Sequence, residues 1–371
     1  MRIAEILEGV PGARLATEAD NDAIVRFYDR RAMGTAAFEV GYRRGPDFFA
    51  LLRCQSDRHV VIVCESAGEI RGVGTITVRD GWAHGAPVKV AYLGDLRIAQ
   101  DRRLLVSWRR AYGALVAHAS EIEELDRASV FVTAVMDANT LARAALIERR
   151  GKGGPTYLPL APFRMQSVLA RWPLWPRPRL RDVRVRAATS GDREALEAFY
   201  ESRQRARFAG FRGDFARRLR AWPGHAIERF VIAEDARSAI IGCVAPWSPS
   251  PAKETFVSRV PPHLARAGRV LEPWIRVPKD GETMKILYLT HLEAERPDVL
   301  RAMIDLVRER TRDERAHFVA LPEYAQFALG DALRPYVVES VPITLYSVHA
   351  PGFDGAPIAL DRAPGFEMAL V

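Results

Sequence analysis

Two strand-like segments of this chain carry a proton-accepting side chain at the same position. AYLGDLRIA at 91–99 aligns with LYLTHLEAE at 287–295, which sets Asp95 against His291. A carboxylate, or an imidazole that is neutral at cellular pH, can take a proton from a reacting group. Two structural alternatives stay open, namely an ion pair of Asp95 with Arg97 on one face of the strand and a His291 that serves packing alone.

Cysteine usage and charge limit the other chemistry open to the chain. Its three cysteines, Cys54, Cys64 and Cys243, lie far apart without a C-x-x-C pair, so we expect neither a disulfide framework nor a metal site. The formal net charge of +8 suits anionic ligands, although an arginine-rich solvated surface is the simpler interpretation. No apolar run reaches the ~20 residues of a membrane helix and the start has no secretory pattern, which predicts a cytoplasmic protein.

The two aligned segments belong to an internal repeat. Residues 17–31 match 189–203 without gaps, and 60–74 match 230–244 further along in the same order. The offset between the copies then grows by about 24 residues, which places an insertion in the second copy over the Pro-rich stretch 248–283. A chance likeness between two helices would not preserve the order of the strands that follow, so the repeat predicts a duplicated unit.

A stretch rich in Pro, Arg and Trp separates the copies. The prolines of ARWPLWPRPRLRD at 170–182 forbid a continuous helix. The stretch predicts a linker at 172–182 between an N-terminal domain, 1–171, and a C-terminal domain, 183–371. A length of 371 residues also exceeds what one hydrophobic core usually holds. Nucleic-acid contact through the interleaved Trp and Arg is the alternative to a packed spacer.

Hydrophobic periodicity predicts the same order of elements in both copies. In the first copy we expect strands at 13–16, 59–66, 70–80, 88–98, 129–135, 156–160 and 163–170, and helices near 20–33, 45–56, 104–119 and from Asn139. In the second copy we expect strands at 228–235, 238–245, 284–294 and 316–321, a strand pair within 335–349, and helices at 297–312 and 323–334. The expected fold class is α/β (α+β), with two tandem domains that each hold a mixed, mostly antiparallel sheet flanked by helices.

This element order, with YLGDLRIAQDRR running into a helix, resembles the GNAT superfamily of acyl-CoA N-acyltransferases over nearly all of both halves. The resemblance implies that two strands of each sheet splay apart. It also implies acetyl-CoA or another acyl-CoA as co-substrate. The pantetheine of that molecule would lie between the splayed strands, and its pyrophosphate would meet the N–H groups at the start of the next helix.

The resemblance assigns cofactor contacts around that helix. The family's phosphate loop reads Arg or Gln, two residues, Gly, one residue, Gly or Ala; Arg103 takes the first position, while Val106 and Trp108 replace the small residues. Asn139 matches the family's pantetheine-contacting Asn. The implied cofactor-binding residues are Leu96, Arg97, Ile98, Arg102, Arg103, Leu104, Leu105, Val106, Ser107 and Asn139. An ordinary helix start at 102 and a plain N-cap at Asn139 are the structural alternatives.

Acyl transfer to an amine needs a deprotonated amine, a polarised thioester carbonyl and a proton for the sulfur. The resemblance gives Asp95 the first task and the backbone N–H of Leu96 or Arg97 the second. Strict strand alternation turns Asp95 away from the face of its neighbours, unless the strand bulges there. The family's acidic Tyr is replaced by Leu146, which leaves Tyr157 as a substitute acid.

The second copy departs further from the family pattern. Val299 stands where Arg103 stands in the first copy, and no Asn opens the helix after HFVALPEY, so His291 remains as its candidate base. The N-terminal half is therefore expected to hold the acyl-CoA site. For the insertion at 248–283, a lid over a cleft and a docking arm for the other domain are equal alternatives.

The predicted function is N-acyl transfer, first of all N-acetyl transfer, from acetyl-CoA or another acyl-CoA to a small amine or a protein amine. We expect no membrane partner and no nucleic acid, and the two halves can pair within the chain. A catalytically inactive tandem protein that serves binding or scaffolding is the alternative, because the phosphate-loop glycines and the acidic Tyr are missing.

Overall fold

The computed structural model describes residues 1–29, 33–34, 39–99, 101–148, 153–260, 262, 266, 276–327 and 329–371. Its helices are α1 (Ile3–Leu7), α2 (Asn21–Asp29), α3 (Phe49–Gln55), α4 (Arg102–Ala117), α5 (Thr140–Arg143), α6 (Arg193–Arg205), α7 (Phe215–Ala221), α8 (Pro297–Arg310) and α9 (Gly330–Leu333). Within these ranges, no helix combines the length and the apolar character needed to span a membrane.

The strands follow the predicted order through both halves. They are β1 (Ala13–Leu15), β2 (Met33–Gly34), β3 (Glu39–Arg43), β4 (Arg58–Ser66), β5 (Glu69–Ala83), β6 (Ala86–Ile98), β7 (Val130–Met136), β8 (Thr156–Arg171), β9 (Val183–Ala187), β10 (Gly210–Phe211), β11 (Val231–Asp235), β12 (Ile240–Trp247), β13 (Glu254–Arg259), β14 (Thr283–Met284), β15 (Ile286–Ala294), β16 (Phe318–Tyr324) and β17 (Tyr336–His349). The helix expected at 20–33 begins one residue later, and residues 30–32 lie outside the described part.

One sheet of 13 strands runs through both halves in the order β1-β4-β5-β6-β7-β17-β8-β16-β15-β12-β11-β9, with β10 on β5. The order reads the same from either edge when each strand is matched to its repeat. The two pairs β6–β7 and β15–β16 are parallel and the remaining pairs are antiparallel. The expected α/β class, a mostly antiparallel mixed sheet flanked by helices, is confirmed.

The halves exchange their last strands. β8 lies beside β16 of the second half, and β17 lies beside β7 of the first half, while β8 and β17 pair along their whole length. β8 is one long strand where two strands were expected at 156–160 and 163–170, and β17 is one long strand where a strand pair was expected within 335–349. Both expectations were wrong. A register shift opposite Leu160 lets β8 continue past Pro159 and Pro162.

Two helical layers cover the sheet. In β4, Ile62 and Cys64 belong to the core under α1 and α4, whereas Val61 and Val63 belong to the core under α2 and α3. This is strand alternation with both faces buried. The second half repeats the arrangement, with α8 on one face and α6 and α7 on the other. The helix expected at 323–334 is shorter, because sheet pairing extends through Tyr324.

An ion-paired triad also repeats between the halves. Its members are Arg14, Asp20 and Glu65 in the first half and Arg186, Asp192 and Glu234 in the second. The arginine lies 2.6 Å from the aspartate in the first half and 2.7 Å in the second. In both, the same aspartate closes a capping box at the helix start. Side-chain contacts thus follow the duplicated pattern as closely as the strands do.

Two further segments join the halves. β13, from the insertion, pairs with β3 in a second sheet ordered β14-β13-β3-β2, so the described part of the insertion docks on the first half. Residues 261, 263–265 and 267–275 of the insertion lie outside the described part. At the other end of the chain, Ala363 and the run Met368–Leu370 are buried in the core between the halves.

Candidate functional site

Each half carries the same irregularity in the strand that bears its predicted base. Asp95 in β6 and His291 in β15 both have φ of 51°, in the left-handed region that residues other than glycine seldom adopt. Opposite each of them the register shifts, so that two residues face one, which is a β-bulge. The bulge anticipated at Asp95 is present. Backbone strain of this kind concentrates at functional sites.

The bulged strands also part from their parallel neighbours. Pairing of β6 with β7 ends at Tyr92 and Val132, and pairing of β15 with β16 ends at Tyr288 and Ala320. Each half therefore has an opening between two strands, and the bulged residue lies a few positions beyond its closed end. Such an opening offers backbone N–H and C=O groups to an extended ligand.

In the first half the bulge turns Asp95 into a buried polar cluster. Its Oδ1 accepts from Arg44 Nη1 at 2.5 Å and from the Tyr28 hydroxyl at 3.1 Å, and its Oδ2 accepts from Thr75 Oγ1 at 3.3 Å. The Arg44 side chain is 1% exposed and that of Asp95 is 12% exposed. Arg97, the alternative partner expected from the sequence, instead stacks its guanidinium on the Tyr28 ring, with 3.4 Å between the guanidinium carbon and the ring centre.

The charge state of Asp95 follows from this cluster. Burial acts to raise the pKa of the carboxyl, but the charge of Arg44 and its hydrogen bond outweigh burial and hold the pKa below its usual value. A carboxylate held in this way is a poor proton acceptor near neutral pH. The base role expected for Asp95 is disfavoured, and a role in positioning remains.

Lys253 joins the same cluster from the insertion. Its Nζ lies 4.5 Å from the centre of the Tyr42 ring. Burial lowers the pKa of this lysine to about 7, and the nearby charges of Arg44 and Arg97 act in the same direction. Sequence reasoning did not single out Lys253. The signal available was composition, since only five of the 54 basic residues are lysine.

The second half places different chemistry at its bulge. The His291 ring is buried, and its Nε2 lies 3.4 Å from Arg218 Nη1. Burial, together with the charge of Arg218, lowers the pKa of His291 well below its usual value. The imidazole is neutral, as expected, but a proton on it would face a fixed cation. The base role predicted for His291 is therefore disfavoured.

The same bulge is also tied to the C-terminal segment. Glu367 Oε1 accepts the backbone N–H of His291 at 3.1 Å and lies 2.9 Å from Arg218 Nη1. Arg218 is fully buried and also pairs with Asp214 at 2.6 Å. A carboxylate of the chain thus occupies a backbone N–H at the second bulge, which is the group that would otherwise face a ligand.

The openings differ in what crosses them. In the first half Thr133 Oγ1 donates to Leu93 O at 2.8 Å, and this bond bridges β6 and β7. In the second half the equivalent residue on β16 is Leu321, which has no hydroxyl to make such a bond.

A cleft is present at the second opening. Its volume is about 30 Å³, which is room for about one water molecule. The residues that line it come from β15, β16 and the C-terminal segment, and include Leu289, Leu292, Glu293, Tyr324, Phe366 and Glu367. The ring of Phe366 also lies 6.1 Å from the ring of Tyr92, so the C-terminal segment stands between this cleft and the first opening.

The predicted phosphate contacts lie at the start of α4. The Asp101 side chain caps this helix, accepting the N–H groups of Arg103 at 2.8 Å and Leu104 at 3.3 Å, and the Asp101 carbonyl accepts that of Leu105. The backbone N–H groups from residue 104 onward were expected to bind phosphate. Those of Leu104 and Leu105 are instead bonded to Asp101. The side chain of Arg103 is exposed, and that of Arg102 lies outside the described part. A phosphate at this end must displace Asp101.

The two large residues in the phosphate-loop pattern have different positions. Val106 is 44% exposed, whereas Trp108 is 2% exposed and packs its ring against Gly72 and Gly74 of β5. Trp108 therefore does not crowd the helix start. Of the remaining backbone candidates, Leu96 and Ile98 pack partly buried against the core under α4, and Ser107 is half-buried on α4.

Two other predicted residues have structural surroundings. Asn139 Oδ1 accepts the N–H of Ala142 at 3.1 Å, which is the N-cap expected as its alternative role. Tyr157 pairs with Val348, next to the pair of Ser347 with Val132. That position lies at the closed end of the first opening, and burial raises the pKa of its hydroxyl. Tyr157 is thus badly placed to give a proton at the bulge.

Residues that could bind a metal do not cluster. Over the described ranges, no three His, Cys, Asp or Glu side chains come together as a ligand set. The three cysteines are buried and unpaired. The charged groups around the two bulges are arginine, lysine and carboxylate side chains.

No model of a protein family matches the chain, and no curated protein matches it in sequence. Solved structures do match its fold. A GCN5-related N-acetyltransferase from Sphaerobacter thermophilus is 15% identical, with 95% of this chain and 98% of that chain covered and a TM-score of 0.52. A conserved protein from Enterococcus faecalis V583, described as a probable N-acyltransferase, is 10% identical, with 91% and 72% covered and a TM-score of 0.51.

N-myristoyltransferase of Saccharomyces cerevisiae, solved with bound myristoyl-CoA, is also similar in fold. It is 9% identical, with 96% of this chain and 82% of that chain covered and a TM-score of 0.55. The chain therefore has the GNAT fold, as the resemblance predicted. Sequence identities this low support a conclusion about the fold alone.

Proposed function

We propose that this protein is an N-acyltransferase that moves an acyl group from acetyl-CoA or another acyl-CoA to an amine. The observation that carries the proposal is the bulged strand at Asp95, which opens beside a buried polar cluster. The names of the similar structures, two N-acyl transferring enzymes among them, support acyl-CoA as the donor.

We place the reaction in the first half, at the opening between β6 and β7. Titratable groups, Asp95 and Lys253, lie beside this bulge, and Arg103 stands exposed at the start of the next helix. In the second half, Glu367 already holds the N–H of His291 and Arg218 faces its ring. That arrangement favours a structural role for the second bulge.

Binding at the first opening requires local rearrangement of the chain. The bond of Thr133 to Leu93 must open for an extended ligand to lie between the strands. The backbone groups freed on β6 and β7 would then bond the pantetheine. Arg103 would meet its phosphates once Asp101 moves from the helix start.

Within the site, the roles follow from the contacts. Arg44 fixes Asp95 at the bulge. We assign the task of polarising the acyl carbonyl to the backbone N–H of Leu96 or Arg97. Asp95 and Tyr28 form a polar wall on the face covered by α2 and α3, which suits an approaching amine. Acetyl-CoA supplies the activated thioester.

Titration with acetyl-CoA and with myristoyl-CoA in a calorimeter tests donor binding. We expect a saturable isotherm for at least one of them. Arg103→Glu should raise Kd by about tenfold or more, because a charge-assisted contact with phosphate becomes repulsion. Arg110→Glu, two turns further along α4, makes the same charge change on an exposed side chain and serves as the matched control. No heat at millimolar concentration of either ligand would refute the proposal.

A second candidate function is binding or scaffolding without catalysis. The Asp101 cap and the Thr133 bridge across the first opening favour it, because they satisfy groups that a donor would otherwise bind. Release of free CoA thiol over a panel of amines separates the candidates. Turnover supports the enzyme, whereas binding without thiol release supports the non-catalytic protein.

A further inference from the structure

Lys253 belongs to the second half in sequence but to the first-half cluster in space. It immediately precedes β13, and β13 pairs with β3 so that Thr255 faces Tyr42. This pairing carries the lysine side chain over the Tyr42 ring, at 4.5 Å from Nζ to the ring centre. A cation is stabilised over such a ring, and an uncharged amine also packs there.

The charges that face Lys253 come from two packed elements. Arg44 follows β3, and Asp95 and Arg97 lie on β6. Asp95 is already paired with Arg44 at 2.5 Å, so the surroundings of the lysine carry a net positive charge. The side chain is half-buried. This burial is the largest cause that lowers the pKa of Lys253, to about 7, and the positive surroundings act in the same direction. An arginine at this position would keep its proton under all relevant conditions.

The proposed transfer needs a proton acceptor in this place. An amine arrives largely protonated at neutral pH and is not a nucleophile in that form. Asp95 is held ionised by Arg44, and His291 lies at the other bulge against Arg218. Among the described residues of the first cluster, Lys253 is the side chain whose charge can change near neutrality.

We propose that Lys253 is the proton acceptor for the amine substrate, an inference that rests on the proposed acyltransferase function. Neutral Nζ takes a proton from the substrate ammonium. The amine nitrogen then forms a bond to the acyl carbon, the bond from carbon to sulfur breaks, and the thiolate of CoA leaves with the electron pair. The second proton of the nitrogen ends on that thiolate, and Lys253 returns its own proton to water.

Turnover by three variants tests this role. Lys253→Arg keeps the positive charge but cannot give up its proton, so kcat should fall about 10²–10³-fold while the Kd of acyl-CoA stays within about threefold. Lys253→Met should lose turnover to the same degree. Lys279→Arg, on an exposed lysine of the same insertion, is the matched control and should keep wild-type turnover.

The pH dependence of kcat distinguishes a catalytic Lys253 from a structural one. Because the neutral amine is the active form, wild-type kcat should rise with pH through about 7 and level off above about 8. Lys253→Arg should lack this rise. Wild-type turnover and an unchanged rise in Lys253→Arg would overturn the inference.

A direct titration separates this inference from the proposed function. With 13Cε-labelled lysine, the five lysines yield few NMR signals, and Lys253→Arg assigns the one of interest. We expect that signal to titrate near pH 7 and an exposed lysine to titrate near 10.4. A Lys253 signal that titrates above 10 would overturn the inference whether or not the protein turns over. Absence of acyl-CoA binding, by contrast, would refute the proposed function.

Discussion

The two bulges of this molecule have the same backbone conformation but different charged groups around them. At the first, a buried arginine pairs with the bulged Asp95 itself, and a lysine able to change its charge lies beside them. At the second, a buried arginine faces the bulged His291 and pairs with Asp214 and Glu367. The comparison teaches that the two halves share the strained strand and differ in the charges around it, with a half-buried lysine near the first bulge and a closed set of ion pairs at the second.

The inter-strand openings beside the two bulges also differ. Arg103 and Asn139, which match the family's cofactor pattern, lie in the first half, where Thr133 bridges the strands. The narrow cleft lies in the second half, where Leu321 cannot form that bridge. The matched residues and the cleft therefore occur in different halves, and each can be altered separately.

The largest expected effect is that of removing the second-half arginine. Arg218→Met leaves Glu367 without its buried cation and Asp214 with Arg217 alone, so the free energy of unfolding should fall by about 3–5 kcal/mol. Urea denaturation measures the change. Arg220→Met, on the exposed side of the same helix, should change it by less than about 0.5 kcal/mol. A loss below about 1 kcal/mol for Arg218→Met would contradict the structural assignment of this cluster.

Removal of the first-half arginine should cost less. Arg44→Met leaves one carboxylate, Asp95, which is 12% exposed and can take up a proton, so we expect a loss of about 2–3 kcal/mol. In the double variant Arg44→Met with Asp95→Asn, the loss should be smaller than the sum of the two single losses by about 1–2 kcal/mol. Additive losses in urea denaturation would show that the pair is not coupled.

Acid should act on the second half through its histidines. Burial lowers the pKa of His225 to about 3, with help from Arg218. Between pH 6.5 and 3 the unfolded chain binds a proton at this residue and the folded chain does not, so stability falls as pH drops through that window. His225→Phe should reduce the loss between pH 6.5 and 4.5 by on the order of 2 kcal/mol.

Urea denaturation at pH 6.5 and 4.5 measures this difference. The phenyl ring keeps the contacts with Trp222 and Phe230, so the variant should be at least as stable as the wild type at pH 7. His118→Gln, at an exposed histidine, is the control substitution. An unchanged acid limb in His225→Phe would show that this histidine does not carry it.

The smallest expected effect concerns the bridged opening. Thr133→Val removes the bond to Leu93, at a loss of about 1 kcal/mol of stability. If the first opening binds the donor, the affinity for acyl-CoA should rise a few-fold, because one bond no longer has to open. Leu321→Thr, at the equivalent position of the second half, should leave the affinity unchanged. A loss of affinity in Leu321→Thr alone, by calorimetry, would place the donor in the second half.

Much of the architecture was predictable from the sequence because it is encoded locally. Strand alternation, the apolar stripe of α4 and the capping residues predicted most elements, and aligned blocks predicted the duplication and the match of Asp95 with His291. The family resemblance predicted the fold. A local pattern suffices for these features since neighbouring residues alone satisfy them.

The contacts that decide the site come from distant parts of the chain. Arg44 reaches Asp95 across 51 residues, Lys253 arrives through the pairing of β13 with β3, and β8 and β17 exchange between the halves. The domain boundaries stay a prediction, because these exchanged strands join the halves in one sheet. The sequence by itself determined the repeated order of strands and the match of Asp95 with His291, and it left the bulge open as an alternative. Only tertiary packing decided which charges surround each bulge, because partners so far apart are brought together by burial and pairing across the whole sheet.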